Sequence, residues 1–545
     1  MREQLSKALS EAAAKLGYKI PSSEIGLEKP KNRSHGDLSS NLALLLAGKS
    51  KQKPLAVANS LKDNISFDEK IVEKIEVAPP GFLNFTYGSG YRAEVIETIL
   101  SEKSNYGRSS IGKNKTVNVE FVSANPTGPL NIGHGRNAVI GDCVARILEF
   151  NGFDVTREYY FNNAGRQMRL LGETVRYHYL TKLEKKTSFP VDGYEGEYLA
   201  DIAELLIEEK GDSLVDSEDV SPFKEIAERV VFEDIKLTLA NIGIRMDKYF
   251  NEDDLYHSGA IESVLKRFFE KDLAYDKDGA VWLRLTKLGM DEDRVIKKSS
   301  GEPTYRLPDI AYHEDKLNRN YDLIIDVLGA DHHASFPDVV AGVAALGYDA
   351  QKINILLHQF VTLTKDGKKI KMSTRKANYV TLDELRTEVG EDVLRYFFLM
   401  RSVNSHLNFE MDLAKKETEE NPVYYIQYAH ARISSIIRLA AERDENYDNP
   451  DLSLLNSDEE KALITYLGEF PEMVQKLQSL LQLHLLTVFL SELATLFSRF
   501  YTEHKVISDD HEITASRLAL CVTTATVIRK GLGLLGISAP ESMRI

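Results

Sequence analysis

Two cysteines, Cys143 and Cys521, are all that this chain of 545 residues carries, too few for a disulfide framework or a cysteine metal site. Each sits in an apolar helical pattern (GDCVARILEF and LALCVTTATVI), where cysteine packs as a small hydrophobe. No run approaches the roughly 18 apolar residues of a membrane span. The opening MREQLSKALSEAAAKLG lacks the apolar centre of a signal peptide. A reducing cytoplasm is therefore the expected setting. There is no internal repeat and no low-complexity tract, and no metal is expected: the adjacent His332 and His333 have no third ligand at helical spacing. Positive charge is also short, 68 Lys and Arg against 83 Asp and Glu, a formal net charge of −15. General DNA coating is excluded on that balance, and a nucleic-acid partner must meet local basic patches on an acidic body.

What is present is ordinary globular sequence, 43% hydrophobic and 28% charged, long enough for three or four domains of roughly 150 residues. Leu5, Leu9, Ala12 and Leu16 recur at helical spacing up to Gly17. A basic loop (Lys29, Lys31, Arg33, His35), a predicted helix over 38–47, another after Pro54 and an extended IEVAPPGFLNFTY complete a small α+β domain, 1–112, closed by the polar linker 101–114. Val117, Val119 and Phe121 then alternate as a strand, SANPTGPLNIGHG breaks the pattern, and NAVIGDCVARILEFNG resumes with helical period before the strand-like FDVTREYYF. Strand, Gly/Pro-rich loop and helix in that order predict a nucleotide-binding α/β sheet with its ligand at the strand's carboxyl end. Charged amphipathic helices fill about 170–280 as an insertion between the halves of the sheet. Strand patterns return in AVWLRL, RVIKK, PTYRL, YDLIIDVLG and KINILLHQFVTL, and from Pro422 the text is helical almost to the end. The expected domains are 1–112, 113–415 and 416–545.

Two segments carry chemistry. PLNIGHG (129–135) lies in the first strand-to-helix loop, and KIKMSTRK (369–376) follows a late strand some 240 residues on. Each alone is a chance pattern, and their joint placement resembles the HIGH and KMSKS signatures of class I aminoacyl-tRNA synthetases. The flanking VEFVSANPTGPLNIGHGRNAVIGD, REYYFNNAGRQ, SSGEPTYRLPDIAYHEDK, VLGADHH, KMSTRKANYVTLDEL and NPVYYIQYAHARI are similar to arginyl-tRNA synthetases, from HGDLSSNLAL to LLGISAPESM. The resemblance implies a Rossmann-type α/β catalytic domain with helical insertions, an N-terminal α+β domain contacting the tRNA elbow, and a C-terminal all-α anticodon-binding domain. It also implies ATP as substrate with Mg²⁺ accompanying it, L-arginine and tRNA(Arg) as the other partners, and a monomer. The chain departs from the family pattern at Asn131, in place of the first histidine of HIGH, at Thr374 and Arg375 in KMSTR, and at Asn163, where an acid is expected.

Adenylate formation sets a carboxylate against the α-phosphate of ATP, two anions, so charge neutralisation must dominate. Gly128, Gly133 and Gly135 let backbone approach the nucleotide, and the following helix points its positive end at phosphate. His134 is the expected donor to the α-phosphate, with Asn131 as N-cap beside it. Lys371 is expected to hold the β- and γ-phosphates and Ser373 to hydrogen-bond them. Met372 belongs to the same ATP segment, while Asp331 and His332 resemble the part that meets ribose and base. A guanidinium offers five donors and a fixed charge, so its pocket needs acceptors. Glu120 and Asn125 follow the first strand, and Tyr305 and Asp309 share a helix face at i and i+4; by resemblance these four line the arginine pocket. Lys29, Lys31 and Arg33 are the expected tRNA contacts of the first domain, and Tyr425 and Tyr428 the stacking residues of the last. Two other readings stay open: a catalytically silent synthetase-like RNA-binding protein, raised by Asn131 and Asn163, and a class I synthetase for another amino acid.

Overall fold

The computed structural model describes residues 1–30, 32, 35–369 and 380–543. Its first unit holds α1 (Arg2–Lys15), β1 (Leu38–Ser40), α2 (Leu42–Ser50), α3 (Pro54–Asn64), β2 (Val72–Ala78) and β3 (Phe82–Tyr87). The three strands form an antiparallel sheet in the order β1-β3-β2. The single helix expected over 38–47 is split, because Leu38 to Ser40 pair with Phe85 to Leu83 and pin that stretch as an edge strand. Sheet pairing there overrides local helical preference. α4 (Ser89–Glu102) then leaves this unit and buries Val95, Ile96 and Ile99 in the main core of the molecule.

The central part runs β4 (Thr116–Glu120), α5 (Ile132–Phe150), β5 (Asp154–Phe161), α6 (Gly165–Lys182), α7 (Glu197–Lys210), α8 (Ser221–Asn241), β6 (Lys248–Asn251), α9 (Asp253–His257) and α10 (Ala260–Glu270). After it come β7 (Ala274–Lys277), β8 (Ala280–Leu283), β9 (Arg294–Lys297), α11 (Arg306–Asn318), β10 (Leu323–Gly329), α12 (Phe336–Ala345) and β11 (Ile353–His358). Next are β12 (Val361–Lys365), β13 (Lys368–Lys369), α13 (Leu382–Val389), α14 (Glu391–Leu399), β14 (Leu407–Glu410) and α15 (Met411–Ala414). Five strands in the order β11-β10-β4-β5-β6 are all parallel. Strand order reverses at the β4/β10 boundary, so the crevice at their carboxyl ends is where a doubly wound sheet takes its ligand.

Three sequence readings change in detail. β6 belongs to this sheet although it lies inside the stretch expected as an insertion. PTYRL is no strand: Pro303 makes a single bridge to Lys297, and α11 begins at Arg306. KINILLHQFVTL divides into β11 and β12, which belong to different sheets.

α16 (Pro422–Glu442), α17 (Asp458–Leu467), α18 (Phe470–Leu480), α19 (His484–Glu503) and α20 (His511–Leu534) make the helical end. Asn421, Ser457 and Asp510 cap three of these helices through their side chains. The bundle is joined to the sheet layer by the fully buried Arg395, which meets Asp142 of α5 at 2.5 Å and the Leu535 carbonyl at 2.9 Å. Both cysteines are buried and unpaired, and burial pushes each thiol up to about 12. Among the described residues no helix is long and apolar enough to cross a membrane.

Candidate active site

At the reversal point lies a cavity of about 1240 Å³. Its walls include Asn131, Gly133 and His134 from the start of α5, Glu120 and Asn125 from the end of β4, and Tyr305 and Asp309 from α11. Asp331 and His332, after β10, and Lys369 and Val380, which flank residues 370–379, line it as well. Lys371, Met372 and Ser373 lie outside the described residues. The chain that follows them returns to the first segment: Leu382 donates its N–H to the Leu130 carbonyl at 2.8 Å, and Asn131 bridges Thr381.

The start of α5 is built by a capping box. Asn131 Oδ1 accepts the His134 N–H at 2.9 Å, and the Asn131 N–H faces His134 Nδ1 at 3.3 Å. Nδ1 is thereby an acceptor, so the proton of the neutral ring belongs on Nε2. Burial lowers the His134 pKa to about 4 and keeps the ring neutral. Gly135 permits close packing, since a Cβ there would lie 2.4 Å from Leu382. Asn163 does not border the cavity; it is buried, donating to Glu228 at 3.0 Å and accepting from the Asp253 N–H at 3.3 Å. An acid at that position would face Glu228 with like charge.

The end of the cavity at Glu120 rests on a row of acids that sequence reading did not assemble. Register sets Glu120 beside Asp326 on one side and Glu158 on the other, three carboxylates abreast on one face of a parallel sheet. Like charges at that spacing repel, and α11 supplies what holds them together. Lys316, fully buried, forms ion pairs with Glu120 and with Asp326, the latter at 2.6 Å. His313 Nε2 lies 2.9 Å from Asp326, Tyr312 donates to Glu158 at 2.9 Å, and Arg319 clamps Glu158 at 2.5 and 2.8 Å. Burial alone would raise both acids, but Lys316 with His313 holds Asp326 below the usual carboxylate range, and Arg319 with Lys316 does the same for Glu158. The spacing of 312, 313, 316 and 319 is one helix face. Asp326, the lone acid inside the apolar LIIDVLG, was the available signal, since a buried charge must have a partner.

Asp309 differs from those three. Burial pushes its carboxyl up to about 7, with Glu120, Glu252 and Asp326 adding to the rise and His313 opposing it. It is not the exposed helix acid that its position in the first turn would otherwise suggest. Glu252 is a further acid that sequence reading missed; it is buried, raised by that burial, and hydrogen-bonded by Tyr256 at 3.4 Å. Tyr305 stands at the rim, 73% exposed. The Asn125 amide donates to Gln167 at 2.7 Å. Asp331 and His332 sit on the turn after β10, their side chains 3.8 Å apart and open to solvent. Among the described residues no group of three or more His, Cys, Asp or Glu could hold a metal ion.

The expected tRNA residues lie elsewhere. Lys29 is ion-paired to Glu469 of the helical bundle at 2.5 Å and lies 5.0 Å from the centre of the Tyr466 ring, so it fastens the first unit to the last. Lys31 and Arg33 are outside the described residues. Tyr425 packs against the core with its hydroxyl 3.5 Å from Thr495. Tyr428 stacks on Tyr424 at 6.3 Å between centroids and carries the Arg432 guanidinium over its ring.

A chain whose cavity joins a capped helix start to an acid-rich floor has relatives. The profile for "tRNA synthetases class I (R), catalytic domain" matches residues 95–404, "Arginyl tRNA synthetase N terminal domain" matches 1–87, and "DALR anticodon binding domain" matches 426–543. Arginine–tRNA ligase of Desulfotalea psychrophila is 49% identical over 95% of this chain and 94% of its own, and that of Salinibacter ruber is 43% identical over the whole of both. Among solved structures, a putative arginyl-tRNA synthetase from Campylobacter jejuni superposes with a TM-score of 0.77 at 33% identity, covering 84% of this chain and all of its own. The Thermus thermophilus arginyl-tRNA synthetase gives 0.77 at 22% identity over all of both chains, a likeness of fold. With sequence, domain order and fold in agreement from end to end, the chain belongs to the arginyl-tRNA synthetase family of class I.

Proposed function

We infer that this chain is an arginine–tRNA ligase, which activates L-arginine with ATP to arginyl-adenylate and transfers the arginyl group to the terminal ribose of tRNA(Arg). The observation that carries the reading is Asp309: a carboxyl with no Lys or Arg ion pair among the described residues, sharing one cavity with the His134 end of α5. A pocket that collects acids and leaves one of them unneutralised selects a cationic ligand, and a guanidinium supplies both the charge and the donors. Asp309 and Glu120 receive the arginine side chain, Tyr305 closes over it from the rim, and Asn125 meets the α-amino group.

ATP lies with its phosphates at Asn131, Gly133 and His134 and its ribose and base toward Asp331 and His332. One arginine carboxylate oxygen attacks the α-phosphorus and pyrophosphate leaves. His134 Nε2–H donates to the α-phosphate oxygen as charge grows there, and the start of α5 adds its dipole. Lys371, Met372 and Ser373 are assigned to the β- and γ-phosphate side, where Lys369 and Val380 border the cavity. Mg²⁺ enters with ATP as part of that substrate. A ribose hydroxyl of the tRNA then attacks the activated carbonyl and AMP departs. Lys31 and Arg33 with the Tyr424 and Tyr428 stack are the tRNA contacts, and the working unit is a cytoplasmic monomer. The silent-relative reading gains no support, since Asn131 is occupied as a helix cap rather than as a vacant catalytic position. Charging of total tRNA with each standard amino acid in turn tests the assignment.

A further inference from the structure

Asn137 lies one helical turn beyond His134, is buried, and borders the cavity. Its side chain reaches the ends of three strands. Oδ1 accepts the Val122 N–H at 2.6 Å just past β4. Nδ2 donates to the Val327 carbonyl of β10 at 2.8 Å and lies 3.2 Å from His358 Nε2 at the end of β11. Burial lowers the His358 pKa to about 4, so its ring is neutral. With Nε2 accepting from Asn137, its proton sits on Nδ1 and faces the Gln359 carbonyl at 3.3 Å.

Val122 and Ser123 have φ of 67° and 41°. That left-handed region is costly for a β-branched residue and persists only where surroundings impose it. The turn has a consequence for the site. It brings Ser123 Oγ back to donate to Glu120 at 2.9 Å and to accept the Tyr160 N–H at 3.1 Å, and it carries the chain on to Asn125.

We propose that Asn137 is a positioning residue: it holds the left-handed turn that orients Glu120 and Asn125 and, through Val327 and His358, fixes that turn against the nucleotide side of the cavity. The inference rests on the ligase reading and adds to it a residue through which the two substrate sites share one support.

The test measures arginine charging by the full chain for the unsubstituted protein, Asn137→Ala, Val122→Gly and the double variant, with hydrogen exchange of the peptide spanning 119–126. Loss of the side chain misplaces groups that meet arginine, so kcat/KM for arginine falls on the order of 10²-fold and the peptide loses protection. Glycine adopts positive φ without the penalty, so adding Val122→Gly to Asn137→Ala recovers at least about tenfold of the lost kcat/KM. Val122→Gly alone sets the effect of losing the buried valine. An asparagine that served only general stability would give no such recovery. Asn137→Ala within about threefold of the unsubstituted kcat/KM, or a double variant no better than the single, overturns the proposal. Should Asn137→Ala not fold, Asn137→Asp keeps the acceptor for Val122 and loses the donor. The KM for ATP then rises about tenfold while that for arginine stays within about threefold, and an equal rise in both overturns the proposal. If the unsubstituted protein charges no arginine, the ligase reading fails by itself, because exchange protection tests the turn without activity.

Discussion

Asn131 and His134 cap one another at the start of α5, each side chain engaging the other's backbone N–H. The side chain that departs from the family signature thus caps the helix, while the backbone N–H of the same residue sets the tautomer of His134. His134→Ala removes the donor and breaks the box, and should lower kcat by about 10² to 10³, roughly 3 to 4 kcal/mol. Asn131→His exchanges a good cap for a poorer one and should change kcat by less than about tenfold, on the scale of the roughly 1 kcal/mol of one cap. Steady-state charging of both variants checks the pair; equal losses would refute the division of labour.

Asp309 predicts a pH dependence. Arginine needs the ionised carboxylate, and the free carboxyl titrates at about 7. Below that pH a proton must leave before arginine binds, so KM for arginine should rise by about tenfold per pH unit, and hold steady above. Asp309→Asn should raise it on the order of 10²-fold, about 3 kcal/mol of charge-assisted hydrogen bonding, and abolish the pH slope. A KM that ignores both pH and the substitution would contradict this role.

Lys316 is required for the fold beneath the site. Lys316→Met leaves Glu120 and Asp326 buried without their cation and should cost about 3 to 5 kcal/mol of stability at neutral pH. Asp326 and Glu158 are held below their ordinary values in the folded chain, so their contribution is present above the unfolded carboxylate pKa and fades as pH falls. The difference between variant and parent should therefore hold down to about pH 4, near the unfolded carboxylate value, and shrink below it. Urea midpoints at about pH 7.5, 4.5 and 3 check it; a difference that stays constant from about pH 4.5 to about 3 would count against the ionic account.

How much of this was legible in the sequence follows burial and chain separation. The α5 start, Asn131 as cap, and Tyr305 with Asp309 were readable because each is a local pattern of fewer than about six residues. The Glu158, Glu120 and Asp326 row was not, because it depends on parallel register between strands far apart in the chain. Asn137 was hidden for the same reason: its partners Val122, Val327 and His358 come from three strand ends. Leu38–Ser40 read as helix because nothing local announces its pairing with Leu83–Phe85. Lys29 looked like a free cation for tRNA, and only the docked bundle reveals Glu469 beside it.

That ion pair separates the basic residues of the first unit. Lys29 is already partnered by Glu469, so Lys29→Ala should reduce the slope of log affinity for tRNA against log salt by well under 1, whereas Lys31→Ala with Arg33→Ala should reduce it by about 1 to 2. Glu469→Gln, which frees Lys29, should tighten tRNA binding at low salt. Filter binding across a salt series gives the slopes, and a Lys29 effect equal to the others would mean that tRNA displaces Glu469.

The most direct test of the account is aminoacylation of total tRNA by the full chain with ATP and Mg²⁺ and each standard amino acid in turn, with citrulline as an uncharged arginine analogue. Charging is expected with arginine alone, and none with lysine, which lacks the planar fork, or citrulline, which lacks the charge. Charging with a different amino acid, or with none, would contradict it.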